Sequence, residues 1–314
     1  MPTNLQPWRA EVELTVATVG QILERQFPSL NPQTIRYHSE GWDSWVFLVD
    51  NTWVFRFPKR REVETHLPRE TRLLDALAGQ LPLPIPQVTW RGAPSEPFPF
   101  HFIGYRLIPG APGDKTEAPC HARGLCARQL GGFLRALHAF SLERASLLGF
   151  PAEPRDPPAV VLLTETLSLA ERIEPYVPAD LRERCRPFLR GEVNLPEPCQ
   201  GPYRLIHGDL QAEHVLLDPN GSIAGVIDFG DAGVGDPAGD FAGPYVWQDP
   251  DFARAVLDAY GGAPDAGFFD RITFLARCLS LSGIGWVDKN DSVQLSVFTR
   301  FLRNAFAAEP RAQA

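Results

Sequence analysis

Five side chains able to bind a metal or handle protons, Asp209, His214, Asp228, Asp231 and Asp236, fall within LIHGDLQAEHVLLDPNGSIAGVIDFGDAGVGDPAGDFAG, from Leu205 to Gly243. Short apolar runs separate them. LIHGDL and VLLD read as strand-edge segments, Pro219-Asn220-Gly221 as a turn, and IAGVID as a third apolar segment ending in a carboxylate. A loop starting at Asp209 and a strand ending at Asp228 can bring both carboxylates to one cleft, with His214 between them in sequence. The plainer alternative is an acidic surface hairpin. Against it, carboxylates that repeatedly close apolar strands repel one another unless a metal or cationic partner offsets their charge.

Several chemistries can be tried on this set. Acyl transfer needs an exposed nucleophile beside a base, and neither a G-x-S-x-G elbow nor a nucleophile near His214 is present. A zinc hydrolase is disfavoured because H-E-x-x-H is absent and two carboxylates with one histidine suit a harder ion. A glycosidase can use Asp209 and Asp228 as acid and nucleophile, but leaves His214 and the basic residues upstream without work. Phosphoryl transfer uses more of the features: one Asp orients a hydroxyl, another holds Mg2+, and a basic group offsets phosphate charge. No Walker A sequence occurs, so the site is not a P-loop.

The elements that must position these groups follow in order. Pro7 to Phe27 has helical spacing of Val12, Val16, Val19 and Leu23. The loop HSEGWDS, with Gly41 and Ser44, precedes a strand pair, WVFLVD and WVFRF, joined at Asn51-Thr52. That loop is either an ordinary connection or one whose backbone approaches a phosphate. Arg56 lies on the second strand and Lys59 just past it. A helix starting near Pro68 carries Glu70, which can pair with Arg56; the plain alternative is a surface ion pair. LPLPIPQVTWRG and HFIGYRLIPG each contain a strand, and Pro109-Gly110 marks the candidate boundary, where a hinge exposes backbone groups to a ligand between the halves. His121 to Phe140, Leu163 to Arg172 and Pro178 to Leu189 read as helices, with an irregular connector at Pro151 to Pro158. Beyond Gly243 come helices over Asp251–Tyr260, Ala266–Ser282 and Asp291–Ala307. The expected class is α+β: a small strand-rich part before a larger, mostly helical one.

With 314 residues the chain can bury a sizeable core. Its net charge of -8 disfavours nonspecific nucleic-acid binding, which needs cations to replace counterions. Cys120, Cys126, Cys185, Cys199 and Cys278 have no paired spacing and fit reduced thiols. No signal peptide and no bilayer-spanning stretch is indicated, so the expectation is a cytoplasmic protein with no membrane partner, monomeric by default.

LIHGDLQAEHVLLD followed by GVIDFGDAGVGDPAGDF resembles the antibiotic and small-molecule phosphotransferases with a protein-kinase-like fold. It is most similar to the aminoglycoside 2''-phosphotransferases and less so to the macrolide phosphotransferases. The resemblance continues through SEGWDSWVFLVDNTWVFRFPKR, RETRLLDALAGQLPLPIPQV and PSEPFPFHFIGYRLIPG, and so covers His38 to Gly243. It implies a bilobal fold, with a nucleotide-binding lobe at 1–107 and a catalytic and acceptor-binding lobe at 108–314. Residue by residue, it implies that Asp209 orients the acceptor hydroxyl or accepts its proton and that His207 supports that loop. Asp228 would hold Mg2+. His214 stands where many such kinases have a metal-binding asparagine, while Asp231, Asp236 and Asp240 brace the following loop. Arg56 falls at the phosphate-contacting lysine position, paired with Glu70, with Lys59 as second choice; the guanidinium places its donors differently from an ammonium. Gly41 and Ser44 would lie in the nucleotide-covering loop, the backbone of Arg106, Leu107 and Ile108 at the nucleobase, and Ile227 beneath the ring. The donor is ATP or GTP.

The acceptor is less well marked. A polycationic aminoglycoside calls for carboxylates beyond Asp209. Asp231, Asp249 and Asp251 can supply them, and Trp247 and Trp286 can form an apolar wall; Asp249 can equally cap the helix that follows. The implied activity is Mg-dependent transfer of a nucleotide γ-phosphate to a hydroxyl of an aminoglycoside-like small molecule. A macrolide or other metabolite as acceptor is one alternative, and a catalytically silent nucleotide-binding protein is another.

Overall fold

A computed structural model describes residues 10–116, 122–151 and 158–307. The chain divides into two compact units, one comprising 1–79 and 85–109 and the other 80–84 and 110–314.

The first unit is built on an antiparallel sheet in the order β1-β2-β3-β5-β4, from Ile35–Glu40, Ser44–Val49, Trp53–Pro58, Val88–Gly92 and Phe102–Arg106 as β1 to β5. The β2–β3 hairpin turns at Asp50 and Asn51, both with left-handed backbone (φ 51° and 49°), which the tight turn demands and Asp and Asn tolerate. Helix α1, Val16–Gln26, begins only after Thr15, whose hydroxyl caps the Thr18 N–H. Residues 10 to 15, expected to be helical, are outside it, and Pro7 to Arg9 lie outside the described residues. Helix α2 runs Arg61–Leu77 and contains Pro68, which was expected to start it. The proline removes one main-chain bond inside an otherwise continuous helix, while Leu67, Leu73, Leu74 and Leu77 remain buried. An aromatic core of Phe47, Phe55, Phe57, Phe98, Phe100 and Phe102 lies against one face of the sheet, with Phe57 and Phe102 stacked at 4.3 Å.

The second unit is mainly helical. A short strand β6, Ala111–Pro112, leads to α3 (Arg123–His138), α4 (Leu142–Leu147), α5 (Pro158–Ser168), α6 (Ala170–Ile173) and α7 (Arg182–Arg190). His121 and most of the Pro151–Pro158 connector lie outside the described residues, as does Cys120. Strands β7 (Arg204–Ile206), β8 (Val215–Leu217), β9 (Ile223–Val226) and β10 (Gly233–Gly235) form β6-β8-β9 and β10-β7 sheets. Helices α8 (Gly239–Trp247), α9 (Pro250–Tyr260), α10 (Phe268–Trp286) and α11 (Ser292–Ala305) follow. Val226 N–H donates to the Pro84 carbonyl at 2.9 Å, tying 80–84 to this unit. A core of Leu169, Ile173, Phe188, Cys278, Leu281 and Leu302 joins α6, α7, α10 and α11. Among the described residues, Cys126, Cys185, Cys199 and Cys278 are free thiols, and no helix is long and apolar enough to cross a membrane.

Candidate active site

In the second unit, the loop after β7 carries Asp209 and the loop after β9 carries Asp228, and a single turn of 3-10 helix at Ala212–His214 presents His214 to both. His214 Nδ1 lies 2.7 Å from the Asp209 main-chain carbonyl and 3.5 Å from its Oδ2, while Nε2 lies 3.6 Å from Oδ2 of Asp228. Burial alone would lower this imidazole, but Asp209, Asp228 and Glu213 outweigh it and push it up to about 9. The arrangement of carboxylates therefore calls for positive charge at one spot. Asp228 itself has left-handed backbone, φ 68°, an uncommon conformation for a residue with a side chain.

The loop bearing Asp209 is fixed from below. Fully buried Asp240, in the first turn of α8, accepts the main-chain N–H groups of His207 at 2.8 Å and Gly208 at 2.9 Å. Its Oδ2 also lies 2.9 Å from His138 Nε2. Burial would raise this carboxyl, but the hydrogen bonds with His138 and the Gly208 N–H leave it lowered. Buried His207 accepts the Asp209 N–H at Nδ1 (3.3 Å) and donates from Nε2 to the Ile227 carbonyl (3.0 Å); burial holds it neutral. Both its nitrogens are thus committed to support. Gly208 has φ 85°, and a Cβ there would meet the Asp231 carbonyl oxygen at 2.3 Å, so this position joins the Asp209 and Asp231 loops and admits only glycine.

Asp236 works through α10. Its carboxylate accepts Arg271 Nε at 2.6 Å and the Ala238 N–H at 3.0 Å, and Arg271 also bonds Asp265 twice at 2.8 Å. Asp231 is exposed. Two groups near Asp209 were not singled out from the sequence. Gln211 donates its side-chain amide to Asp209 Oδ1 at 2.6 Å, and half-buried Glu213 is raised by burial, with Asp209 and Asp114 adding to it. Their positions two and four residues past Asp209 were the available signal.

The first unit holds the basic residues. Arg56 Nη1 lies 2.6 Å from Glu70 Oε1, and both side chains are buried, so this pair is not a surface one. Lys59 is 1% exposed, with Nζ 2.5 Å from Glu40 Oε1 and 4.7 Å from the Trp45 ring. Gly41 and Ser44 flank the β1–β2 turn, closed by a Gly41 N–H to Ser44 carbonyl bond of 3.0 Å. At the expected hinge, Arg106 ends β5 with its guanidinium over Trp53, and the Leu107 N–H already donates to the Thr52 carbonyl at 2.8 Å; Ile108 follows it. In the second unit, both main-chain groups of Ile227 are used, by His214 and His207.

The residues expected at the acceptor are dispersed. Buried Trp247 donates its indole N–H to the Gly113 carbonyl at 3.0 Å. Asp249 caps α9 by accepting the Phe252 N–H at 2.9 Å and pairs with Arg123, while Asp251 lies exposed in the first turn of α9. Trp286, ending α10, donates to Glu165 at 2.6 Å, with Arg172 over its ring.

The donor set suits Mg2+ rather than a closed protein cage. Among the described residues no cluster of three or more His, Cys, Asp or Glu side chains could hold a metal by itself. Mg2+ keeps waters and takes one or two carboxylates together with substrate phosphates. Asp228, 42% exposed, meets that need, and His214 can add only Nε2, because Nδ1 faces the Asp209 carbonyl.

A strand-rich unit bearing a buried Arg–Glu pair, followed by a mainly helical unit with paired carboxylates, is the architecture of the kinase-like phosphotransferases. Residues 34–269 match the phosphotransferase enzyme family, and the chain belongs to it. It is 30% identical over 238 residues to viomycin phosphotransferase of Streptomyces vinaceus, covering 72% of this chain and 77% of that protein. The GDP complex of aminoglycoside 2'-phosphotransferase-IIIa superimposes with a TM-score of 0.72 at 27% identity, covering 93% and 98% of the two chains. Macrolide 2'-phosphotransferase MphH from Brachybacterium faecium does so with a TM-score of 0.57 at 27% identity, covering 88% and 94%. The protein is a phosphotransferase with the fold expected from its motifs.

Proposed function

We propose that the protein transfers the γ-phosphoryl group of ATP or GTP to a hydroxyl of an aminoglycoside-like small molecule, with Mg2+ as the metal. The observation that carries this reading is His214, which stands 3.5 Å from Asp209 and 3.6 Å from Asp228 and so gathers two carboxylates about one positive charge. Asp209 orients the acceptor hydroxyl and takes its proton, with Gln211 fixing one of its oxygens. Asp228 holds the metal, and Nε2 of His214 is the second donor once the arriving cation has displaced its proton, since only the neutral imidazole can ligate. Mg2+ bound there supplies charge neutralisation at the nucleotide phosphates.

From residues 1–107, Arg56 contacts phosphate while Glu70 fixes its guanidinium, and the Gly41–Ser44 loop covers the phosphates. With the Leu107 N–H committed to Thr52, nucleobase contacts fall to other main-chain groups of Arg106 to Ile108, and the Ile227 side chain lies under the ring. Residues 108–314 supply the chemistry and the acceptor contacts, with Asp231 and Asp251 as the exposed carboxylates. The protein works as a cytoplasmic monomer. The GDP complex and the aminoglycoside and viomycin phosphotransferases among its relatives support donor and acceptor class.

A macrolide acceptor is the second reading. It is favoured by the commitment of Asp249 to Arg123 and to the α9 cap, which leaves less acidity for a polycation. Incubation with Mg2+ and ATP or GTP against aminoglycosides, viomycin and macrolides, read by product mass and thermal shift, separates these readings. Stabilisation by a nucleotide and one phosphorylated acceptor are expected; no response to either nucleotide would overturn the proposal.

A further inference from the structure

The ammonium of Lys59 is nearly inaccessible. It pairs with Glu40, at the end of β1, and lies over the Trp45 ring at 4.7 Å. Its main-chain N–H donates to the Asp43 carbonyl at 2.8 Å. The next residue, Arg60, donates from Nη1 to the Trp42 carbonyl at 3.1 Å and from Nη2 to Asp43 Oδ1 at 2.6 Å. Every one of these bonds ends on the short turn between β1 and β2 or on the residue just before it. The turn itself is exposed at Gly41 and Trp42. Two consecutive cations at the end of β3 therefore clamp both shoulders of an exposed turn.

A second observation concerns the turn's glycine. Gly41 has no left-handed backbone, and a Cβ added there would meet nothing nearer than the Ser44 carbonyl at 3.7 Å, an ordinary contact. Neither packing nor conformation of this chain requires glycine at that position. Its missing side chain leaves the turn's backbone open to close approach by a phosphate.

We propose that Lys59 and Arg60 are positioning residues that hold the Gly41–Asp43 turn in its phosphate-covering form, and that Lys59 does not itself touch phosphate. This rests on the nucleotide-dependent activity proposed above. Charged hydrogen bonds to a main-chain loop restrict it before the ligand arrives, so less ordering is left to be done on binding. The effect belongs to nucleotide affinity and not to the transfer step.

The test compares Glu40→Gln, Lys59→Met and Arg60→Gln with wild type. MgATP and MgGTP affinity, KM, kcat and melting temperature are measured on the full chain. Glu40 is 45% exposed, so its substitution leaves the core untouched and keeps the test valid should Lys59→Met fold poorly. A rise of about tenfold in nucleotide KM and Kd is expected for Glu40→Gln and for Lys59→Met, the size of one charge-assisted hydrogen bond. Their kcat should stay within about twofold, and the double variant should be no worse than either single one, because they share one bond. Unchanged nucleotide affinity in Glu40→Gln and Arg60→Gln, with wild type binding nucleotide, would overturn the clamp. A kcat loss without a KM change in Lys59→Met would overturn it too, by placing the ammonium at the chemistry. Failure of the wild type to bind either nucleotide would instead overturn the activity on which the clamp rests.

Discussion

Gln211 donates its side-chain amide to Oδ1 of Asp209 at 2.6 Å from two residues further along the same loop. A carboxylate held at one oxygen cannot rotate freely, so its remaining lone pairs keep a fixed direction toward an acceptor hydroxyl. Gln211→Ala should lower kcat by about ten- to a hundredfold, the range for a misplaced catalytic group, with nucleotide KM within a few-fold of wild type. Steady-state kinetics with a phosphorylated acceptor checks this. An unchanged kcat would mean the bond has no role in transfer.

The glycines of the two loops should behave in opposite ways. Gly208→Ala puts a Cβ 2.3 Å from the Asp231 carbonyl oxygen and forces a left-handed alanine. It should cost at least about 1–3 kcal/mol by denaturant unfolding. Gly41→Ala should leave stability within about 0.5 kcal/mol, as at other open surface positions, and weaken nucleotide binding instead. Equal loss of stability in both variants would contradict the distinction.

Arg271 is the hinge of a buried network, and its removal should be severe. Asp236 is 4% exposed and relies on this guanidinium, so Arg271→Met leaves a buried carboxylate without its cation, at a cost of about 3–5 kcal/mol. The same cation holds the Asp265 carboxyl below the usual carboxylate range. A lowered folded-state value contributes stability that is present above the unfolded value, about 4, and lost as pH falls through the folded one. Wild type should therefore lose stability on acidification below about pH 4, and Asp265→Asn should flatten that limb of the curve. A limb of unchanged steepness in Asp265→Asn would remove Asp265 from the account.

Much of this site was visible in the sequence because chemistry-bearing residues there sit close together. Asp209, His214 and Asp228 lie within a short span, and turns at Asp218–Gly221 fold that span back on itself. The β2–β3 hairpin was equally plain, because apolar runs flank Asn51-Thr52, although the left-handed residues of the turn are Asp50 and Asn51, one position earlier. Helix α8 was not. Its sequence, GDFAGPYVW, carries glycines and a proline, yet every residue from Asp240 to Trp247 is buried; packing overrides a poor local preference. For the same reason Asp240 could be expected to brace a loop, but not which one, since its partners His207, Gly208 and His138 come from distant segments. Strand β1 is not legible as a strand, because Arg36 to Glu40 are exposed and lack an apolar alternation. The commitments of Trp247, Asp249 and Trp286 to Gly113, Arg123 and Glu165 are long-range and left no trace in spacing.

The metal should depend on one carboxylate in particular. Asp228→Asn should raise the Mg2+ concentration for half-maximal transfer by about tenfold or more, since a ligating charge is lost while the loop keeps its uncommon backbone, which Asn also tolerates. Chelation should abolish transfer by wild type reversibly. The Mg2+ titration of both proteins decides it; coincident curves would place the metal elsewhere.

The most direct measurement is the rate of phosphate appearance on an acceptor for Asp209→Asn against wild type, by mass detection, alongside Mg-nucleotide affinity. Asn keeps the size of the side chain and can still meet Gln211, but cannot take a proton. Transfer should fall by about a thousandfold or more while nucleotide affinity stays within a few-fold. An Asp209→Asn protein that phosphorylates its acceptor at the wild-type rate would contradict the account.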